Sequence, residues 1–291
     1  MASIRDLRGR IRSIGNIRQI TRAMEMVATT KLRRFQDKAT SSRPYSQEIA
    51  ALLARLAAVL GEAVESRPLF RRGESQGIAV LLVTSDRGLC GAFNSNLFRA
   101  LEVWLAGKGQ PPVTWYVIGR KGYQYLQRRG REVERFLAEP PLEKTDYRAA
   151  ALTAKALSDA FLAGRFGEVH IAYTAFESVV RYVPKVVQLL PVEKAAAVEG
   201  AKAAPATDVI FEPDVETIFD SLVPRYLGTR IYNALLESLT SEYASRRVSM
   251  KNATEAAKDI GLALKAVYNR KRQENITKEL LDIVGGVEAL R

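Results

Sequence analysis

Proline is absent from both ends of this chain. The first proline is Pro44 and the last is Pro224, so 43 residues at one end and 67 at the other lack the strongest helix breaker. Both segments are therefore predicted to be helical. At about 1.5 Å per residue the longer one would reach roughly 100 Å, several times the radius of gyration of a compact domain of this size. Such a helix cannot be folded away inside a globule.

Apolar residues recur at helical spacing in both segments and predict how the helices pack. The N-terminal stripe consists of Ile4, Leu7, Ile11, Ile14, Ile17, Ile20, Met24 and Val27. The C-terminal stripe follows a heptad repeat and consists of Met250, Ala253, Ala257, Ile260, Leu264 and Val267. A narrow stripe on two overlong helices is best buried by pairing them, which predicts a long antiparallel coiled coil. The alternative is that each helix lies on a core of its own.

The C-terminal stripe stops at Val267, and a polar stretch at residues 268–275 follows it. A fresh apolar stripe then consists of Ile276, Leu280, Ile283, Val287 and Leu290. If the longer helix extends past its partner at this end, the overhang begins at residue 268 and needs an external apolar sleeve to bury it. An overhang at the other end, covered by the central body, is the alternative.

The middle of the chain alternates between strand-like and helical runs, which predicts a central Rossmann-like α/β domain. The predicted strands are residues 78–84, 113–118 and 169–174, and the predicted helices are residues 93–105, 121–129 and 147–163. Residues 179–192 contain Pro184 and are expected to form an edge strand or hairpin.

Composition and proline positions also predict the domain boundaries. Residues 1–67 hold the N-terminal coiled-coil helix and a second helix that begins after Pro44. The α/β domain covers residues 68–192, residues 193–208 form a linker, and residues 209–291 hold the C-terminal coiled-coil helix.

The positive charge is concentrated in the two ends. Residues 1–43 hold eleven Lys or Arg against three acids, and residues 225–291 hold twelve against eight. The remaining residues balance, with 21 of each sign. Basic ends on a neutral body suggest an acidic partner, which could be a nucleic acid, an anionic membrane or an acidic protein. A basic coiled-coil protein that binds nucleic acid is therefore one functional alternative, and its binding should fall steeply with salt.

An α/β domain also raises the possibility of an enzyme, but the sequence contains no recognisable catalytic or phosphate-binding motif. The loop at residues 85–91 follows a strand, yet it contains neither G-x-G-x-x-G nor a P-loop lysine. Its glycines are better explained by a tight turn. Cys90 would need a base, and the only histidine, His170, lies inside a predicted strand. The sequence predicts no catalytic residue, no cofactor and no metal site.

Three separated blocks resemble one known family, the gamma subunits of F-type ATP synthases. They are residues 17–32 (IRQITRAMEMVATTKL), residues 85–91 (SDRGLCG) with Asn94, Ser95 and Asn96, and residues 268–273 (YNRKRQ) with 276–286 (ITKELLDIVGG). The blocks occur in the family's order and span essentially the whole chain. One departure is Val287, where the family usually has alanine.

The resemblance implies a non-catalytic subunit, the central rotor stalk that couples proton flow to ATP synthesis or hydrolysis at the catalytic beta subunits. Its implied partners are the ring of alpha and beta subunits, the epsilon subunit and the ring of c subunits, with no nucleic acid. Membrane association is then indirect, at the cytoplasmic face of a bacterial cell membrane. The basic ends would face acidic surfaces of the beta subunits.

The resemblance also implies roles for particular residues. Met24, Arg272, Gln273 and Thr277 match positions that contact beta subunits in the family. The stripe of Ile276, Leu280, Ile283, Val287 and Leu290 matches the tip that turns in an apolar bearing. For Met24 the alternative is a residue of the coiled-coil interface, and for Arg272 and Gln273 it is a solvated helix face.

Overall fold

The computed structural model describes residues 3–137, 140–192 and 212–288. The predicted linker at residues 193–208 lies outside this part. Five helices and five strands are described, in the order α1 (Ile4–Leu60), β1 (Ile78–Val83), α2 (Phe93–Gly107), β2 (Val113–Ile118), α3 (Arg120–Arg128), β3 (Val133–Leu137), α4 (Tyr147–Leu162), β4 (Glu168–Phe176), β5 (Tyr182–Leu190) and α5 (Val215–Glu288). They form two compact units. The helix-pair unit contains the described residues up to Thr29 and from Arg246 onward, and the sheet unit contains those of residues 30–245.

The sheet unit is built around five strands in the order β3-β2-β1-β4-β5. The first four are parallel, and β5 pairs with β4 in antiparallel fashion. This arrangement confirms the predicted α/β sheet. It also confirms the edge position of the strand that holds Pro184, which sits opposite Thr174. Strand β3 was not predicted, because its five residues include the charged Glu134 and Arg135 and give no apolar run.

Alternate residues of the parallel strands face two different helix layers. Trp115 and Val117 of β2 belong to the core formed with α2 and α3, together with Leu97 and Leu126. Since successive strand residues point to opposite faces, Tyr116 and Ile118 face the other side. There the neighbouring side chains come from α4 and α5.

Helix α1 does not stop at Pro44, so the prediction of a separate helix after this residue is wrong. It runs unbroken from Ile4 to Leu60. A proline inside a helix removes one hydrogen bond and costs about 3 kcal/mol. Phe35 and Leu53 are buried on either side of Pro44, which is itself exposed. Burial of both flanks offsets the local cost, and the helix continues.

Helix α5 likewise includes Pro224 and begins nine residues before it, at Val215. Its start is capped by Asp214, whose carboxylate accepts hydrogen bonds from the Thr217 backbone N–H (2.7 Å) and the Thr217 hydroxyl (2.8 Å). The Thr217 bonds lower the pKa of Asp214. A strong N-cap, rather than the position of the last proline, therefore sets the start of this helix.

The helix-pair unit is an antiparallel coiled coil, as predicted. Arg8 Nη2 donates to the Tyr268 hydroxyl (3.1 Å), and the Thr254 and Thr21 hydroxyls are 2.8 Å apart. Between these contacts, a Cβ built on Gly261 would lie 3.6 Å from Ile14 Cγ2. Because residue numbers rise along one helix as they fall along the other, the two helices run in opposite directions.

The residues at the interface of this pair differ in part from the predicted stripes. Leu7, Met250 and Ala257 are buried as expected. Ile17 and Ile20 of α1, however, are 47% and 59% exposed, and Ile260 and Val267 of α5 are about half exposed. Their places in the interface are taken by less apolar neighbours, including Thr21, Gly261 and Tyr268. Hydrophobicity alone selected the wrong face at these positions.

Candidate functional site

The loop at residues 85–91 has a structural role, because its hydrogen bonds connect three elements of the sheet unit. Asn94 Nδ2 donates to Ser85 Oγ (2.8 Å), and the Ser85 backbone N–H donates to Asn94 Oδ1 (3.2 Å). The Ser245 hydroxyl of α5 donates to the Cys90 carbonyl (2.6 Å). Gly91, with φ of 57°, allows the sharp turn into α2. The loop therefore ties the end of β1 to α2 and α5.

The two side chains considered for nucleophilic chemistry have structural surroundings. Cys90 is buried, and its Sγ lies 3.4 Å from Asn94 Nδ2 and 3.7 Å from Ser85 Oγ. His170 is buried in β4, where Nε2 lies 2.9 Å from Glu168 Oε2 and the ring packs against Trp104. Across residues 3–137, 140–192 and 212–288, no group of three or more His, Cys, Asp or Glu side chains could hold a metal ion.

Within the sheet unit, polar contacts join the parts of α1 and α5 that belong to it to the segment before α4. Glu143 accepts hydrogen bonds from Lys31 Nζ of α1 and from the Tyr243 hydroxyl of α5. Burial alone would raise the pKa of Glu143, but these two bonds lower it overall. Phe35 stacks on the Tyr243 ring at 5.5 Å. The anchor joins α1, α5 and the segment before α4 at one place.

Both helices of the coiled coil have exposed apolar side chains. Among them are Ile17, Ile20, Met26, Val27, Ile260, Leu262 and Val267, each about half exposed or more. We call this set the outer stripe. Exposed apolar surface beyond scattered single residues marks binding sites for other proteins. The stripe is thus the first candidate functional surface of the helix-pair unit.

The second candidate surface is the free end of α5, which we call the tip. From the observed pairing, Ser3 lies opposite about residue 272, and α5 continues to Glu288, about four more turns. The expected start of the overhang at residue 268 is therefore too early, because Tyr268 still contacts Arg8. That contact lowers the pKa of the Tyr268 hydroxyl.

The apolar residues predicted for the tip are exposed wherever their side chains are described. Ile276 is 47% exposed, Leu280 58% and Ile283 63%. Two further apolar residues, Leu281 and Val284, are exposed to a similar degree and were not included in the prediction. The Val287 side chain and the whole of Leu290 lie outside the described part of the chain. The tip thus exposes apolar side chains on more than one face.

The polar residues singled out in the sequence fall in two places. Arg272, Gln273 and Thr277 lie at the start of the tip, and all three are exposed. Met24 lies on α1 and is half-buried. The structure therefore brings the first three together and leaves Met24 apart from them. Sequence reasoning missed the outer stripe, although Thr254, Gly261 and Tyr268 of α5, which lie in the interface instead, recur at heptad spacing.

Comparison with known proteins agrees with this architecture. A family model described as ATP synthase matches residues 3–290. The ATP synthase gamma chain of Mycolicibacterium gilvum is 42% identical over 306 residues, covering 99% of this chain and 98% of that one.

Two solved structures have the same fold. The rotor of the Euglena gracilis mitochondrial ATP synthase gives a TM-score of 0.68 at 19% identity, covering 94% of this chain and 98% of that one. The Tetrahymena thermophila mitochondrial ATP synthase, in its central stalk and c-ring, gives 0.58 at 24% identity, covering 80% and 99%.

Within the described residues, no helix is both long enough and apolar enough to cross a membrane. The family match over nearly the whole length, the 42% identical relative and a fold with paired terminal helices and an α/β sheet lead to one assignment. This chain belongs to the family of ATP synthase gamma chains.

Proposed function

We propose that the helix-pair unit turns as the central rotor shaft inside a ring of alpha and beta subunits of a bacterial F-type ATP synthase. The observation that carries this proposal is the antiparallel pair with an unpaired tip, on which Ile276, Leu280 and Ile283 are exposed. A gamma chain is the rotor subunit of the synthase and not its catalytic subunit. The absence of a phosphate-binding motif in the loop at residues 85–91 is in keeping with that role.

The tip supplies two kinds of contact that suit a rotating part. Burial of apolar surface is non-directional, so a smooth apolar bearing around Ile276, Leu280 and Ile283 can hold the tip at every angle. Val287 and Leu290 extend the same bearing in this proposal. Hydrogen bonds depend on direction, so Arg272, Gln273 and Thr277 contact beta subunits only at particular angles. In this proposal the apolar residues hold the tip in place, and the neighbouring polar residues couple its angle to the beta subunits.

The outer stripe and the basic surface contact the ring below the bearing. Apolar residues such as Ile20 and Val27 pack against the inner wall, and the surrounding Arg and Lys side chains face acidic surfaces of the beta subunits. Met24, at the edge of this region, contacts a beta subunit. Each angle of the asymmetric shaft then favours a different conformation of each beta subunit, which couples rotation to nucleotide affinity.

The sheet unit connects the shaft to the membrane part of the synthase. It binds the epsilon subunit and the c-ring, so that proton flow through the membrane turns the ring and the shaft together. The chain is a peripheral part of the membrane-bound complex. In a bacterial cell, the proposed location of the chain is the cytoplasmic face of the cell membrane.

Two variants of the tip test the division between holding and coupling. Deletion of residues 286–291 removes Val287 and Leu290, worth at most about 1.5 to 3 kcal/mol each if fully buried. The coiled coil below still holds the shaft, so much of the activity is retained. Replacing Arg272 and Gln273 with alanine removes charge-assisted hydrogen bonds of about 1.5 to 3 kcal/mol each and reduces coupling.

The measurement is ATP synthesis and hydrolysis, normalised to assembled complex. The matched control is Lys278→Ala, which removes a positive charge from the same exposed region. A deletion that abolishes turnover, together with a double substitution that behaves like the control, would contradict these roles.

A further inference from the structure

One cavity of the sheet unit has no part in the proposed rotor function. It lies between strands β2 and β3 and helix α4, with a volume of about 180 Å³. The lining side chains come from four places: the strands, the segment before α4 (Pro140 and Thr145), α4 itself and, through Leu235, α5. For comparison, an engineered apolar cavity of about 150 Å³ is large enough to bind benzene. A small organic molecule therefore fits this space.

Two cross-strand pairs form the strand wall of the cavity. Tyr116 lies opposite Arg135, and Ile118 lies opposite Leu137, two residues further along each strand. Side chains two residues apart on a strand share one face of the sheet. The wall therefore has a polar end at Tyr116 and Arg135 and an apolar end at Ile118 and Leu137.

The helix wall of the cavity is apolar apart from hydroxyls that are already used. Ala149, Leu152 and Ala156 of α4 line it, and Leu152 is exposed at the surface. Thr153 Oγ1 donates to the Ala149 carbonyl (2.9 Å), and Thr145 Oγ1 donates to the Pro141 carbonyl (3.3 Å). The donors that a ligand could still use are therefore on the strand wall.

Both donors at the polar end lack a hydrogen-bond partner within the described part of the chain. Tyr116 is only 4% exposed, and its ring packs edge-on against Phe166. Burial raises the pKa of Tyr116, so the hydroxyl keeps its proton at neutral pH. Arg135 makes no ion pair with a described residue, whereas its neighbour Glu134 pairs with Arg165 at 2.9 Å. Arg135 is an exposed residue that lines the cavity with Tyr116, so both side chains can offer their donors to a molecule that enters it.

We propose that this cavity binds a short aliphatic monocarboxylate. The carboxylate accepts hydrogen bonds from the Tyr116 hydroxyl and the Arg135 guanidinium, and the hydrocarbon chain lies against Ile118 and Leu137. One cation and one neutral donor match a single negative charge with two oxygens. Glu134 and Arg165 also act on Tyr116, but they form an ion pair and offset each other, so a phosphate group would bring more charge than Arg135 balances. A simple apolar molecule would leave the Tyr116 hydroxyl unpaired.

The test is a titration of the assembled complex with hexanoate, followed by ligand-observed NMR. Hexanol and hexylamine have the same chain and are titrated in parallel. Hexanoate binds saturably, hexanol binds at least about tenfold more weakly because it lacks the charge, and hexylamine does not compete. Equal binding of hexanoate and hexanol would contradict the role of Arg135, and inorganic phosphate that competes as well as hexanoate would overturn the proposed ligand class.

Three variants assign the binding to this cavity. Arg135→Gln weakens hexanoate binding at least about tenfold, and Tyr116→Phe, which keeps the ring, weakens it about threefold to tenfold. Ala156→Leu fills the cavity and abolishes binding. The matched control is Arg128→Gln on α3, an exposed arginine away from the cavity lining. Melting temperatures of the variants establish that each is folded.

Two results would overturn the proposal. The first is no saturable binding of hexanoate to the parent complex. The second is binding to folded Arg135→Gln and Tyr116→Phe variants that equals binding to the Arg128→Gln control. Neither result depends on rotation or ATP turnover, so the ligand site and the rotor function succeed or fail separately.

Discussion

Two glycines place opposite demands on the backbone. Gly119 has φ of 97°, and a Cβ there would lie 2.0 Å from the Thr84 carbonyl oxygen. Gly261 lies inside α5, where a Cβ would lie 3.6 Å from Ile14 Cγ2, an ordinary contact. Gly119→Ala should therefore destabilise the chain by at least about 2 kcal/mol, whereas Gly261→Ala should stabilise the helix pair by about 0.5 to 1 kcal/mol. Thermal unfolding of the full chain measures both, and a stabilising Gly119→Ala would refute this view of the β2–α3 turn.

Glu237 of α5 makes stability depend on pH. Burial raises its pKa, partly offset by hydrogen bonds from the Phe176 backbone and the Tyr173 hydroxyl. A carboxyl whose pKa is raised on folding stabilises fully below its unfolded pKa and loses that contribution as pH rises through the folded value. Glu237→Gln cannot ionise and still accepts both bonds. Its free energy of unfolding relative to the parent should rise between pH 4 and pH 8.

The measurement for Glu237→Gln is denaturant unfolding of the full chain across that pH range. Glu48→Gln on the exposed side of α1 is the control for removing one negative charge. A stability difference that is the same at both ends of the range, or that falls with pH, would show that Glu237 is not destabilised by burial in the folded state.

Among the secondary-structure elements, the sequence predicted which segments are helices or strands better than it predicted which side of a helix is buried. Helical spacing and the absence of proline identified both long helices, and apolar runs identified β1, β2 and β4. Pro44 was a misleading signal, because burial of its flanks offsets the cost of a proline inside α1 and the helix continues. The predicted interface between α1 and α5 was partly wrong. Its small and polar residues let the two helices pack closely, and a hydrophobicity pattern does not detect such residues.

The corrected interface makes a prediction about two apolar residues of α1. Ile20 is 59% exposed, whereas Leu7 is 5% exposed in the interface. Ile20→Gln should change the stability of the isolated chain by less than about 0.5 kcal/mol but reduce assembly with the alpha and beta subunits. Leu7→Ala should cost about 2 to 5 kcal/mol in the chain itself. Melting temperature and the yield of assembled complex by gel filtration separate the two effects, and normal assembly of Ile20→Gln would remove the outer stripe from the ring contact.

At the scale of the whole molecule, the distribution of charge and of chemistry decided the class of function. Basic ends beside a neutral body admitted three kinds of partner, and only the three matched blocks selected among them. The roles of Arg272, Gln273 and Thr277 stay predictions, because contacts to other chains depend on surfaces that this sequence does not contain. The cavity beside Tyr116 could not be predicted either, since it depends on the unpredicted strand β3.

The central claim is that this chain rotates within the synthase, and rotation can be observed directly. Lys155→Cys on α4 gives an exposed attachment point for a bead, because the Lys155 side chain is 71% exposed while Cys90 is buried. The beta subunits are fixed to a surface and ATP is added. The bead should rotate continuously in one direction and stop when ATP is removed. ATP hydrolysis at the normal rate with a bead that stays still, or that only fluctuates about one angle, would contradict the claim.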